Sequence, residues 1–424
     1  MADPETAGRF FGRRIIAAAF LIQAVALACT FSAYGLFLEP IEAEFGATRA
    51  QTLLGLSILN LVVTALGPLI GWAIDRGPLR PLMIAGALLL AGGFALLARA
   101  TELWQLTLAL GLCVGSGVAL VGPLPSTTLI ANWFVRRRGT ALGVAATGVT
   151  AAGVFMPPLT AGMIESLGWR GTLQIYGALC AGLLIPVIWA LVIKRPEDVG
   201  QHPDGDARSA AIPGEAAAPG GSLREFLGQP NFWLLGLVFG LAFSGTATFI
   251  SNAVPLARSL GADTQSASYV LSCVAFCSLL GKLLFGTLVD RIERRAAMWL
   301  SLGLQICAWG VFLSEPGYAL LLAASALWGL TMGGLWPMHG ALLGAVFGRA
   351  TFGRAMGLGG FVMLPLSGGI PPLAGHVYDL TGSYTTMLAP FIGVYALSAA
   401  LLAFVRLPGH GPGARAATAE PSAA

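Results

Sequence analysis

Twelve runs of at least 17 mostly apolar residues recur along the chain, separated by short polar breaks. Each is long enough to cross a hydrocarbon core about 30 Å thick as a helix rising about 1.5 Å per residue. They predict helices over 15–38, 50–73, 81–99, 103–132, 140–163, 171–193, 232–257, 266–289, 296–314, 317–346, 353–377 and 385–406. Many contain Gly or Pro, which membrane helices tolerate because neighbouring groups satisfy the freed backbone. Gly111, Gly115 and Gly117 in the fourth run predict close helix packing. The first run is too long for a signal-peptide core and lacks a cleavage site, so it reads as a retained helix.

Composition agrees. The chain has 424 residues, 56% hydrophobic and only 10% charged, against about 25% charged in soluble domains. That excludes a soluble enzyme, a disordered chain and a nucleic-acid-binding protein. The class is an all-α membrane protein whose surroundings are the lipid bilayer. The six cysteines all lie in apolar stretches, which predicts packing residues and neither a disulfide framework nor a metal site. No nucleotide-binding loop, paired acids or activated nucleophile is present, so neither a cofactor nor enzymatic activity is expected.

The longest interior polar stretch, 195–231, is rich in Pro, Gly, Ala and Asp and reads as a flexible linker. Ser222 and Glu225 resemble a capping box for a short amphipathic helix, Leu223 to Leu227, lying on the membrane. The expected division is a six-helix bundle over 1–194, the linker over 195–231, a second six-helix bundle over 232–406, and a disordered tail over 407–424. Charge sets the orientation. With the N-terminus in the cytoplasm, 19 of the 24 basic residues fall inside and four outside (Arg49, Arg99, Arg170, Arg258), as the positive-inside rule requires. Both termini are then cytoplasmic.

The two halves repeat. Gly71-Trp72-Ala73-Ile74-Asp75-Arg76 ends the second helix, and Gly286-Thr287-Leu288-Val289-Asp290-Arg291 ends the eighth, 215 residues later. At an offset of 214, Gly139 and Gly143 recur as Gly353 and Gly357, and Pro157-Pro158-Leu159 as Pro371-Pro372-Leu373. Parallel duplication of a six-helix unit describes a carrier whose halves rock around a central site. Asp75 and Asp290 sit where helices 5 and 11 begin, facing their positive dipole ends. The clusters Asp75–Arg76 and Asp290–Arg291 are therefore candidate gating latches.

The segments Gly71 to Arg80 and Gly286 to Arg295 resemble the loop signature of the major facilitator superfamily. Tyr34-Gly35-Leu36-Phe37-Leu38-Glu39-Pro40, Trp133-Phe134-Val135-Arg136-Arg137-Arg138-Gly139 and Tyr378-Asp379-Leu380-Thr381-Gly382-Ser383-Tyr384 are similar to the monocarboxylate transporter group, which includes relatives of the bacterial oxalate–formate antiporters. The resemblance spans helix 1 to helix 12. It implies the major facilitator fold, with two six-helix pseudo-repeat bundles, and a carrier in the plasma membrane (a bacterial inner membrane) working as a monomer.

The remaining basic residue, Lys282, lies inside helix 8, and no Asp or Glu is expected within any span. An unpaired cation in the membrane costs about 2.5–3.5 kcal/mol on insertion scales, and one that faces a cavity suits an anion. In the resembled group the corresponding residue is an arginine that binds substrate carboxylate. Lysine keeps the charge but loses the bidentate fork. The group's dicarboxylate carriers have a second cation in helix 11, and residues 357–375 contain none, so the resemblance implies a monocarboxylate. The acidic partner of the animal carriers is here Ser278. Proton coupling would fall to Lys282 or His339, the latter beside Trp336. Tyr34 and Asn252 complete the substrate-binding candidates. The expected function is uptake of a small organic acid anion with a proton. Anion exchange, or efflux of a lipophilic compound, is the alternative.

Overall fold

The computed structural model describes residues 10–32, 34–206 and 223–407. All twelve predicted spans are helical. The first six are α1 (Gly12–Phe45), α2 (Gln51–Arg76), α3 (Leu79–Leu97), α4 (Leu103–Trp133), and α5 and α6, which share the stretch Arg138–Leu191. The second six are α7 (Pro230–Ser259), α8 (Gln265–Arg291), α9 (Arg294–Leu313), α10 (Tyr318–Phe347), α11 (Phe352–Thr381) and α12 (Tyr384–Ala403). The expected loop between the fifth and sixth helices is a single residue. Gly168, at φ 71° and ψ 168°, reverses the chain in a conformation that a residue with Cβ rarely adopts. It separates α5 (138–167) from α6 (169–191).

Each half has its own apolar core. In the first it runs from Ile15 to Val192 and centres on large buried side chains such as Phe94, Trp133 and Tyr176. In the second, Trp309 stacks on Phe391 at 5.1 Å and Phe249 on Phe312 at 4.7 Å. Gly111 and Gly115 of α4 pack against Ile58 and Leu59 of α2, and Gly117 against α3. The sequence expectation of close small-residue packing holds. Leucines and aromatics cover the outside: Trp104, Trp189, Trp233 and Trp299 are all exposed near helix ends, where amphipathic rings suit a membrane–water boundary. All six cysteines are free thiols.

The start of the linker is ordered, contrary to its flexible composition. Asp204, at φ 57°, accepts hydrogen bonds from the backbone N–H groups of Val135, Arg136 and Arg137 at 3.0, 2.9 and 3.3 Å. A short aspartate side chain capping three backbone donors pins a turn that propensity alone leaves open. The helix Leu223–Leu227 exists, and its Phe226 is buried, stacked on Phe347 at 5.3 Å. Ser222, residues 1–9, the linker segment 207–222 and the tail 408–424 lie outside the described residues.

Candidate functional site

The halves meet along two seams, α2 against α11 and α5 against α8. Both are built from glycine. A Cβ on Gly71 would overlap the carbonyl oxygen of Gly353, and one on Gly357 that of Gly67. On the other seam, a Cβ on Gly286 would sit 2.7 Å from the Gly139 oxygen, and one on Gly143 would overlap the Lys282 carbonyl. The repeated glycines of the sequence thus face one another across the halves. Burial along the seam helices is uneven. In α5, Arg138, Gly139, Ala141, Leu142 and Gly143 are buried, whereas Val154, Phe155 and Leu159 are about 60% exposed or more. The halves therefore close at the end carrying the α2–α3 and α8–α9 loops, termed here the basic end, and part beyond it.

An aspartate locks each seam at that end. Asp75, closing α2, accepts the backbone N–H groups of Gly353 and Arg354 at 3.0 and 3.1 Å and the Arg354 Nε at 3.2 Å. Asp290, closing α8, accepts the N–H groups of Gly139 and Thr140 at 2.8 and 2.7 Å and the Thr140 hydroxyl at 2.8 Å. Each carboxylate thus sits on the first turn of a helix from the other half, where free N–H groups and the dipole favour negative charge. The expected partner cations need correction. Arg76 lies over the Trp72 ring at 4.9 Å, and Arg291 is exposed. Successive helical residues point about 100° apart, so the residue after each aspartate cannot share its direction. The cation on Asp75 is Arg354, from the opposite half.

Lys282 stands at the α5–α8 seam. Its Nζ donates to the Ala146 carbonyl at 3.2 Å and to the Thr150 hydroxyl, both on α5. Among the described residues no carboxylate forms an ion pair with it. Thr150, which the sequence reading did not single out, is next to Val149, a wall residue of the central cavity.

That cavity measures about 560 Å³ and is enclosed by α1, α2, α4, α5, α7, α10 and α11. Its polar wall residues are Ser32, Asn60, Thr64, His339 and Ser367. Asn60 Nδ2 and the Thr64 and Ser367 hydroxyls donate to carbonyls of their own helices, leaving the hydroxyl oxygens, the Asn60 carbonyl oxygen and the second Asn60 N–H to meet a ligand. Trp336 and His339 line the cavity as expected. Tyr34 and Asn252 are elsewhere: the Tyr34 hydroxyl donates to the Thr52 carbonyl at 2.7 Å, and Asn252 Nδ2 to the Thr248 carbonyl at 2.9 Å. Lys282 does not line the cavity in this arrangement; its nitrogen is turned to α5 beside it.

The sequence profile of the Major Facilitator Superfamily matches residues 19–253 and 241–423. Bovine monocarboxylate transporter 13 is 29% identical over 395 residues, covering 91% of this chain and 86% of the relative. Human monocarboxylate transporter 11 is 29% identical over 394 residues, covering 86% and 78%. Among solved structures, the E. coli fucose:proton symporter FucP superposes with a TM-score of 0.72 at 13% identity, covering 94% of this chain and all of that one. The human organic anion transporter MFSD10 superposes with a TM-score of 0.68 at 17% identity, covering 92% and 99%. Two six-helix halves, matched aspartate sites and the profile match agree: the chain belongs to the major facilitator superfamily of membrane transporters, and its sequence is similar to monocarboxylate transporters.

Proposed function

We propose that the protein carries a small organic monocarboxylate across the plasma membrane together with a proton, by alternating access, with Lys282 binding the carboxylate. The observation that carries this reading is the state of Lys282: an ammonium within an apolar span, held by a carbonyl and a hydroxyl rather than by an acid. Neutral oxygens leave its charge uncompensated, and an anion entering the neighbouring cavity would compensate it. The four-carbon stem lets the nitrogen turn from Thr150 toward the wall at Val149. The names of the sequence relatives support an acid as cargo. Lys282, beside the cavity, and His339, on its wall, are titratable bases, which supports proton coupling through one of them.

In this reading the basic end is cytoplasmic, following the distribution of Lys and Arg, and both termini lie on that side. The Asp75 and Asp290 sites are the latches that close it. The domain organisation is two rocking bundles, 1–194 and 232–406, joined by the linker 195–231. The cavity is made within one chain, which fits a working monomer. The test is uptake of radiolabelled acids into proteoliposomes with and without an inward proton gradient. Saturable uptake that rises with the gradient and is lost in Lys282→Gln, but partly kept in Lys282→Arg, is expected. Uptake of every acid at wild-type rate in Lys282→Gln would overturn the assignment.

A further inference from the structure

The cavity is larger than a two- or three-carbon acid requires. At about 560 Å³ it lies within the ~300–1,000 Å³ of pockets that take drug-sized ligands. It equals the liquid volume of on the order of 20 waters at ~30 Å³ each. A small acid would leave most of it wet.

One part of its wall has a specific chemistry. Phe239 and Phe243 stand one turn apart on α7, and Trp336 and His339 stand three residues apart on α10, so each pair presents one face. The four rings form a cluster: Phe243 and Trp336 have centroids 5.2 Å apart, Phe239 and His339 4.6 Å, and Trp336 and His339 6.1 Å. Trp336 lines the cavity and keeps 43% of its surface open, which leaves area free to meet a planar group. His339 lines the same wall, is only 1% exposed, and its Nδ1 has no hydrogen-bond partner. Buried polar atoms are normally partnered, and this one, enclosed in the wall of the cavity, leaves the imidazole with hydrogen-bonding capacity unused.

We infer that this wall is an aryl subsite: the acid carried bears a planar ring that packs on Trp336 beside Phe243, with a polar ring substituent hydrogen-bonded to His339. The inference rests on the reading of Lys282 as partner of the carboxylate and names the class of acid. A carboxylate at one end, a ring at the other and one polar substituent would match the cation, the aromatic wall and the lone imidazole in turn. Offset or edge-on ring contact supplies selectivity beyond simple burial.

The test uses the full chain in proteoliposomes with phenylacetate, 4-hydroxyphenylacetate and pyruvate. The expected result is a KM for phenylacetate at least several-fold below that for pyruvate. Trp336→Ala should raise the phenylacetate KM roughly threefold to tenfold, as loss of one aromatic pairing implies, and so shrink the ratio between the pyruvate and phenylacetate KM values. His339→Phe should erase the preference for 4-hydroxyphenylacetate over phenylacetate. Because either substitution could disturb folding, the thermal shift of the unmutated protein with each acid provides a second ranking, expected in the same order. Equal KM values and equal thermal shifts for pyruvate and phenylacetate, with uptake of both abolished in Lys282→Gln, would overturn the aryl subsite alone. Uptake of all three acids unaffected by Lys282→Gln would overturn the carboxylate reading and this inference with it.

Discussion

Asp75 and Asp290 hold equivalent places in the two repeats, yet their surroundings differ at one position. Each takes two backbone N–H groups at a helix start, but the third donor is a guanidinium for Asp75 and a hydroxyl for Asp290. The Arg354–Asp75 pair is nearly enclosed, with 9% and 3% of the two side chains exposed. Removing one partner of a buried pair leaves an uncompensated charge, which costs about 3–5 kcal/mol, against about 1.5–3 kcal/mol for a hydroxyl's hydrogen bond to a charged group. Arg354→Met should therefore open the basic end more than Thr140→Val. In a cysteine-free background, a Thr64→Cys reporter on the cavity wall should be labelled by an impermeant maleimide from the basic end, faster in Arg354→Met than in Thr140→Val. The aspartates and their helix-start docking were legible in the sequence because the motif occurs twice. Arg354 was not, although it follows Gly353 as Thr140 follows Gly139: spacing reveals equivalent positions but not which side chain turns inward. For the same reason Tyr34 and Asn252 looked like cavity residues. A polar side chain in a helix can bond its own backbone or a neighbouring one, and both do.

At the scale of the element, glycines decide where helices can touch. A side chain at Gly143 meets the Lys282 carbonyl, backbone that cannot move aside without moving α8. Gly143→Leu should yield a folded protein that cannot close at the basic end. The Thr64→Cys reporter should become accessible from that end, with uptake lost. Gly168 is the opposite case. Nothing lies within 4 Å of a Cβ there, so Gly168→Ala should act through backbone strain alone, lowering stability by about 1–3 kcal/mol, as a melting experiment in detergent would read. The twelve spans were readable from hydropathy, since lipid leaves the backbone no alternative to helix. The turn at the start of the linker was not legible, because Asp204 reaches the α4–α5 loop, a contact about 68 residues distant in sequence that composition cannot reveal.

Across the whole molecule, the linker adds another tie between halves. Glu197, in the turn Pro196–Val199, pairs with Arg349 of the α10–α11 loop through two bonds of 2.9 and 3.1 Å. Partial burial pushes the Glu197 carboxyl up, but the hydrogen bond from Arg349, with the charges of Arg349 and Arg195 behind it, holds it below its usual value. A depressed carboxyl contributes fully above its ordinary value near ~4.3 and loses its contribution as pH falls through the lower folded value. The tie should thus be constant from pH 5 to 8 on this scale and weaken in stronger acid. The fall in melting temperature between about pH 6 and about pH 4 should be smaller in Glu197→Gln than in the parent, as melting in detergent at the two pH values would read. The duplicated plan was legible in the sequence because glycines and aspartates recur at a fixed offset. The cavity was not, because its wall gathers residues from seven helices far apart in sequence.

Lys282 has a consequence at this scale. Both groups that hold its nitrogen belong to the opposite half. On the function proposed above, cargo that captured the ammonium would remove a rivet between the two bodies, so that loading and release of the scaffold would be one event.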